Sequence, residues 1–258
     1  MIKVFFCSVT LLLVIFSNSS AANTLELTLD KLPQVTFYTE SYPPANFMKD
    51  NKLAGISIDS LKLMWADLGL PEQNVLMVPW ARGYRNVLKT PNTALFTMSR
   101  TPAREKLFKW VGPLFKSVHV LMAKKSANLK FENLADVLSY KVATIQGDVS
   151  EISLLEIGFP DFNLAKVTDL ERAFLMMQKG RVDMIMVSIH GFQHLTKLLK
   201  ADPAEYEQVW QVNEIGNYIA FNLDTPDFVI QGYQQAFENV AEQRRLIKEK
   251  YALPKIEY

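Results

Sequence analysis

The sequence predicts an α/β fold with a mixed, mostly parallel sheet flanked by helices, and three observations predict it. Short β-like runs alternate with amphipathic helices along most of the chain, the pattern of layered α/β domains. Val182–Val187 is a continuous apolar run, as a strand buried on both faces requires. Apolar residues make up 49% and aromatics 11% of the 258 residues. A full core can therefore be buried, in one large domain or in two lobes of roughly 100 residues each.

The first 22 residues read as a secretory signal peptide. Lys3 is the only charge before Glu26, Val4–Phe16 is nearly all apolar, and Ser-Asn-Ser-Ser-Ala-Ala follows, with cleavage expected after Ala22. The apolar run is shorter than the ~20 residues a spanning helix needs. Cys7 lies inside it without the small residue that a lipoprotein box places before its cysteine. Removing residues 1–22 takes away Lys3 and the single cysteine, and leaves 27 Lys+Arg against 27 Asp+Glu. Disulfides, thiol nucleophiles and cysteine metal sites are then excluded. A net charge near zero argues against nucleic acid or an anionic membrane as partner. The compartment this implies is the periplasm of a Gram-negative bacterium, with the protein a monomer there.

The elements follow in order, with no internal repeat and no low-complexity segment. Val35–Thr39 reads as a strand. Ser57–Leu68 is a helix with Ile58, Leu61, Trp65 and Leu68 on one face. Asn74–Val78 is a strand, Arg82–Leu88 a short helix and Thr93–Met98 a strand. Leu107–Trp110 has β character. In the second half Lys141–Ile145 is a strand and Asp148–Ile157 a helix. Thr168–Lys179 is a helix opened by a Thr168-x-x-Glu171 capping box. Val182–Val187 is a strand. A long helix from Asp227 to about Gln243 places Ile230, Tyr233, Phe237 and Val240 on one face, and a shorter helix ends at Tyr251.

Residues 97–113 carry most of the chemistry. A strand ends there, hydroxyls follow, and Arg104 stands just beyond. A guanidinium offers a rigid fork of donors that pairs bidentately with a carboxylate. The plain alternative is a capped turn with a surface arginine. The order Thr97, Ser99, Thr101, Pro102, Arg104, then Phe108 and Pro113, resembles the ligand loop of family-3 periplasmic solute-binding proteins, the polar amino-acid receptors of ABC importers. Further fragments fall in the same order: Tyr-Pro-Pro-x-x-Phe at 42–47, Leu-x-Gly-Ile-Ser-Ile-Asp at 53–59, Ile-Gln-Gly at 145–147 and Gly-Arg-Val-Asp at 180–183. The resemblance spans Leu32–Pro254. It includes a Pro-Trp-x-Arg segment at 79–82 typical of a divergent branch.

This resemblance implies the type II periplasmic-binding fold, with two lobes and a ligand cleft between them. Lobe one would hold 23–116 plus 222–258, and lobe two the inserted 117–221. It implies that Arg104 takes a ligand carboxylate, helped by Ser99 and Thr97. Tyr42 would cover the ligand, Glu40 would meet an ammonium, Trp80 would wall the pocket and Arg82 would be a second anion contact. Gly147 and Asp148 open a helix, where amino-acid receptors usually put a Thr or Ser after the glycine. Asp148 either caps its own helix or brings negative charge to the cleft. Ser188 stands where such receptors place the aspartate that pairs with the ligand ammonium. A serine cannot supply that counter-charge. Either Asp148 or Glu40 replaces it, or the ligand lacks an amine there.

The function implied is capture of a small carboxylate-bearing solute for an ABC-type importer, without catalysis and without cofactor or metal. His190 and His194 stand four apart without the glutamate of a His-Glu-x-x-His zinc motif. Two alternatives remain: a dehydratase-like enzyme on the same fold, and a soluble sensor that presents the solute to a membrane receptor.

Overall fold

The computed structural model describes residues 32–251. The expected signal peptide lies outside them. Ten strands are β1 Thr36–Thr39, β2 Phe47–Lys49, β3 Lys52–Ala54, β4 Val75–Met77, β5 Thr93–Ser99, β6 Lys109–Lys124, β7 Val142–Ile145, β8 Leu164–Val167, β9 Met184–Ser188 and β10 Tyr206–Phe221. The α-helices are α1 Ile56–Asp67, α2 Trp80–Lys89, α3 Leu134–Val137, α4 Val149–Glu156, α5 Leu170–Gln178, α6 Ile189–Leu198, α7 Asp227–Asn239 and α8 Ala241–Lys250.

Eight strands form one sheet in the order β4-β1-β5-β10-β6-β9-β7-β8, and β2-β3 is a separate hairpin. β1 pairs in parallel with β4 and β5, and β7 with β8 and β9. Between these parallel trios run β6 and β10, each of 16 residues, antiparallel to one another and to their outer neighbours. This is the two-lobed α/β architecture that the sequence predicts. The long antiparallel ribbon carries the chain across from one lobe to the other and back.

Each lobe has its own core. In the first, Phe37 on β1 is ringed by Trp65, Phe96, Phe221 and Tyr233, with centroids 5.3, 6.4, 6.1 and 5.9 Å away. Such tilted and edge-on pairs add roughly 0.5–1.5 kcal/mol each beyond area burial. In the second, Phe174, Met177, Phe192 and Leu195 from α5 and α6 pack on one face of the sheet, and Leu154, Phe159, Met184 and Met186 form another cluster. The apolar run read as a strand is fully buried across Met184–Ser188.

Several boundaries differ from the sequence reading for local reasons. α2 begins at Trp80, directly after Pro79. Leu107 belongs to a 3-10 turn, and the strand starts at Lys109. Thr168 does not cap α5: Asp169 does, accepting from the Arg172 N–H at 2.9 Å, while Thr168 donates to Asp169. A carboxylate one residue nearer the helix outcompetes the hydroxyl for that N–H. The C-terminal helices part at Val240, whose backbone leaves α geometry at φ −95° and ψ 21°.

Candidate functional site

Open α/β sheets bind ligands beyond the carboxyl ends of their strands. The chain places its candidates there. Glu40 and Tyr42 follow β1, Thr97 and Ser99 end β5, and Arg104 sits on the turn after it. Gly147 and Asp148 follow β7, and Ser188 is the last residue of β9.

Arg104 is almost fully buried, with 1% of its surface exposed. Its Nη1 donates to the Ser99 carbonyl and its Nη2 to the Gly147 carbonyl, both at 3.2 Å. The guanidinium lies 4.9 Å from the Trp80 ring centroid and 5.5 Å from that of Tyr84. Trp80 Nε1 donates to the same Gly147 carbonyl at 3.0 Å. The Arg104 Nε is buried without a partner. A buried donor left unsatisfied costs about 1–3 kcal/mol, so this N–H is a waiting contact for an acceptor. Burial lowers the Arg104 pKa, and the charges of Asp148 and Glu40 work against that.

Two carboxylates face this cation. Glu40 keeps a partly exposed edge, yet its desolvated surroundings, and next the Asp148 charge, push its pKa up to about 8, with Arg104 opposing. Asp148 occupies the N-cap position of α4 without capping it through its side chain. Ser150 Oγ instead donates to Asp148 Oδ2 at 3.4 Å. His119 is buried, which lowers its pKa, while Asp148 opposes. It is a neutral ring, with Nδ1 2.9 Å from Asn213 Oδ1.

Tyr42 donates to Ser188 Oγ at 2.6 Å, and Ser188 Oγ also accepts from the Gly191 N–H at 3.1 Å. Ser188 therefore caps α6 and ties the loop after β1 to the opposite lobe. Thr97 adopts φ 63°, a left-handed conformation costly for a β-branched residue. β5 bulges there, since Met98 and Phe96 pair with consecutive residues Tyr218 and Ile219. The bulge sends Thr97 Oγ1 to Asn46 Oδ1 at 2.5 Å and to Ser57 Oγ at 2.7 Å. Ser99 Oγ donates to Asn217 Oδ1 at 3.4 Å. Both hydroxyls thus serve the protein itself. Arg82 is exposed on the first turn of α2.

The sequence reading missed Tyr84, Asn46, Asn213, Asn217 and Ser117. Asn217 Nδ2 donates to Ser117 Oγ at 2.8 Å, and Asn213 Nδ2 donates to Ser153 Oγ at 2.8 Å. The available signal was the recurrence of polar residues at even spacing, at 117 and 119 on β6 and at 213 and 217 on β10, of which Ser117, His119 and Asn217 are buried.

The segment that carries Glu40, Trp80, Arg104 and Asp148 also matches a known family model. Residues 35–156 match the model of the bacterial extracellular solute-binding proteins, family 3. Solved structures agree on the fold over nearly the whole chain. A histidine kinase sensor domain with similarity to periplasmic binding proteins superposes with a TM-score of 0.76 at 16% identity, covering 86% of this chain and 97% of its own. A mutant of the arginine-binding protein of T. maritima gives 0.72 at 15%, covering 88% and 98%. An ancestral arginine-binding protein bound to arginine gives 0.73 at 20%, covering 85% and 98%. At these identities the likeness establishes the type II periplasmic-binding fold. No curated protein matches in sequence. Among the described residues no helix is long and apolar enough to cross a membrane, and no group of three or more His, Cys, Asp or Glu could hold a metal ion.

Proposed function

We propose that this family-3 chain is a periplasmic receptor that captures a small solute bearing both a carboxylate and an amine, for delivery to an ABC-type importer. The observation that carries this reading is the buried Arg104, with a free Nε, set against Glu40 and Asp148. A cation and two acids in one desolvated cleft match a zwitterion with an added positive charge. Arg104 takes the carboxylate as a charge-assisted acceptor. Glu40 and Asp148 together supply the counter-charge that Ser188 lacks. Trp80 and Tyr84 hold the guanidinium plane by stacking. Solved relatives that bind arginine or glutamine are consistent with this class of ligand.

Binding would close the lobes. We place their division near residue 116 in β6 and near 222, just after β10, so that 23–116 with 222–258 face 117–221. Gly112, at φ 132°, and Gly216, whose neighbour is the Tyr218 ring, lie close to both crossings. Catalysis is not part of this reading: closure around the solute is the output.

The test is calorimetric titration of amino acids into wild type and Arg104→Ala. Truncating one partner of a buried charge pair costs about 2–5 kcal/mol, or roughly 30-fold to several thousand-fold in affinity. Unchanged affinity in Arg104→Ala, with its circular dichroism intact, overturns the reading. The likeness to a sensor domain supports a second use of the same capture step, presentation to a signalling receptor. Solute uptake by cells lacking the gene separates the two, since loss of uptake follows from the importer role alone.

A further inference from the structure

Beside the carboxylate cluster a cavity of about 540 Å3 opens, and Glu40 and Tyr42 line both it and the cleft. That volume lies within the range of sites for ligands of several hundred Å3, more than the head group of an amino acid needs. Its walls are apolar: Pro43 from the β1–β2 loop, with Phe47 and Met48 from β2, faces Leu170, Leu195 and Leu198 from α5 and α6. Its ionisable lining groups are acidic apart from His194. Glu40, Asp169 and Glu171 line it, without a lysine or arginine among the lining residues. Asp169 is engaged as the α5 cap and by Arg172 at 3.3 Å. Glu40 and Glu171 remain to face an occupant. His194, at the same wall, has its pKa lowered by burial and then by Lys197, so it adds no positive charge at neutral pH.

We propose that this cavity is a second binding subsite, which takes the apolar, cation-bearing body of a ligand longer than a free amino acid. The inference rests on the reading that the ligand carboxylate reaches Arg104. Continuity through Glu40 and Tyr42 sets the ligand's direction, from Arg104 outward between the β2–β3 hairpin and α6. A body with an apolar surface fits the walls, and a positive group answers Glu171 at the rim.

The test uses three probes titrated calorimetrically into the chain: alanine as head group alone, arginyl-phenylalanine, and glutamyl-phenylalanine as the same length with the opposite side-chain charge. Wild type should bind arginyl-phenylalanine at least about tenfold tighter than either other probe. Glu171→Lys and Leu198→Lys alter exposed positions, so the fold should survive both. Each should lower arginyl-phenylalanine affinity by about tenfold and leave alanine unmoved. Equal affinity for the two dipeptides, alanine binding as tight as arginyl-phenylalanine, or dipeptide affinity untouched by both variants overturns the subsite. In those cases alanine binding that is lost in Arg104→Ala still sustains the reading beneath it. Binding of none of the probes overturns both together.

Discussion

At the scale of single residues, Glu40 is the group whose chemistry most constrains the ligand. Its carboxyl ionises near 4.5 when unfolded and at about 8 in the folded chain, from desolvation first and the Asp148 charge second. The folded state therefore holds the extra proton between those values. The stability this gives is full below pH 4.5 and is lost as pH rises through 8. Denaturant melts at pH 5, 6.5 and 8 should show wild type losing on the order of 2–4 kcal/mol across that window relative to Glu40→Gln. Parallel pH profiles would show that the carboxyl is not desolvated. A ligand ammonium reverses the balance by favouring ionised Glu40, so binding near pH 7 should release a proton. Titrations in phosphate and Tris, whose ionisation heats differ, would then give different apparent enthalpies, and equal heats would argue against an amine at Glu40. The sequence brought Arg104, Glu40 and Asp148 into view because each follows a strand end, and Ser188 because the family resemblance expects an aspartate there. It did not show that Glu40 and Asp148 share one environment. Their separation of more than 100 positions is bridged by the fold alone. Tyr84 and Asn46 escaped because a tyrosine on an amphipathic helix and an asparagine in a proline-rich loop look like ordinary packing and turn residues.

The elements explain how that environment is built. Gly55 precedes α1 with φ 125°, and a Cβ there would meet the Ala45 carbonyl oxygen at 2.3 Å. Only glycine lets α1 start this close beneath the loop that carries Glu40 and Tyr42. The Ile56 and Ser57 N–H groups donate to the Pro44 and Ala45 carbonyls at 3.2 and 2.9 Å, which pins the loop to the helix. Gly55→Ala should cost roughly 1–3 kcal/mol, as strained backbone does, and lower the melting temperature by a few degrees. It should also weaken ligand binding, since the loop must shift; full retention of both would show that the loop is not held from below. Strands β1, β5 and β9 were legible because they are short, apolar and bounded by turns. β10 was not. Its exposed Gln208, Gln211 and Glu214 dilute the apolar alternation over 16 residues, and bulges at three places break its register with β6, so no window of the sequence shows a clean period of two.

For the whole molecule, the described state is one in which the lobes already touch across the cleft. Tyr42 reaches Ser188, and Trp80 and Arg104 both reach the Gly147 carbonyl. A hydrogen bond contributes a net ~0.5–1.5 kcal/mol, so Tyr42→Phe should shift the closed–open balance by about fivefold. The affinity for solute falls by the same factor where the closed form is the binding-competent one. Small-angle scattering of the ligand-free variant should report a larger radius of gyration than wild type. Ser188→Ala removes the same bond and also the α6 cap, at a further cost of about 1 kcal/mol in stability. The double variant decides between two roles for Tyr42. If the tyrosine acts by holding Ser188, the two losses in affinity overlap, and the pair loses little more than Ser188→Ala alone. If it acts instead as a lid whose ring covers the solute, phenylalanine keeps the ring, Tyr42→Phe binds as wild type does, and the cross-lobe bond is a spectator of closure rather than its latch.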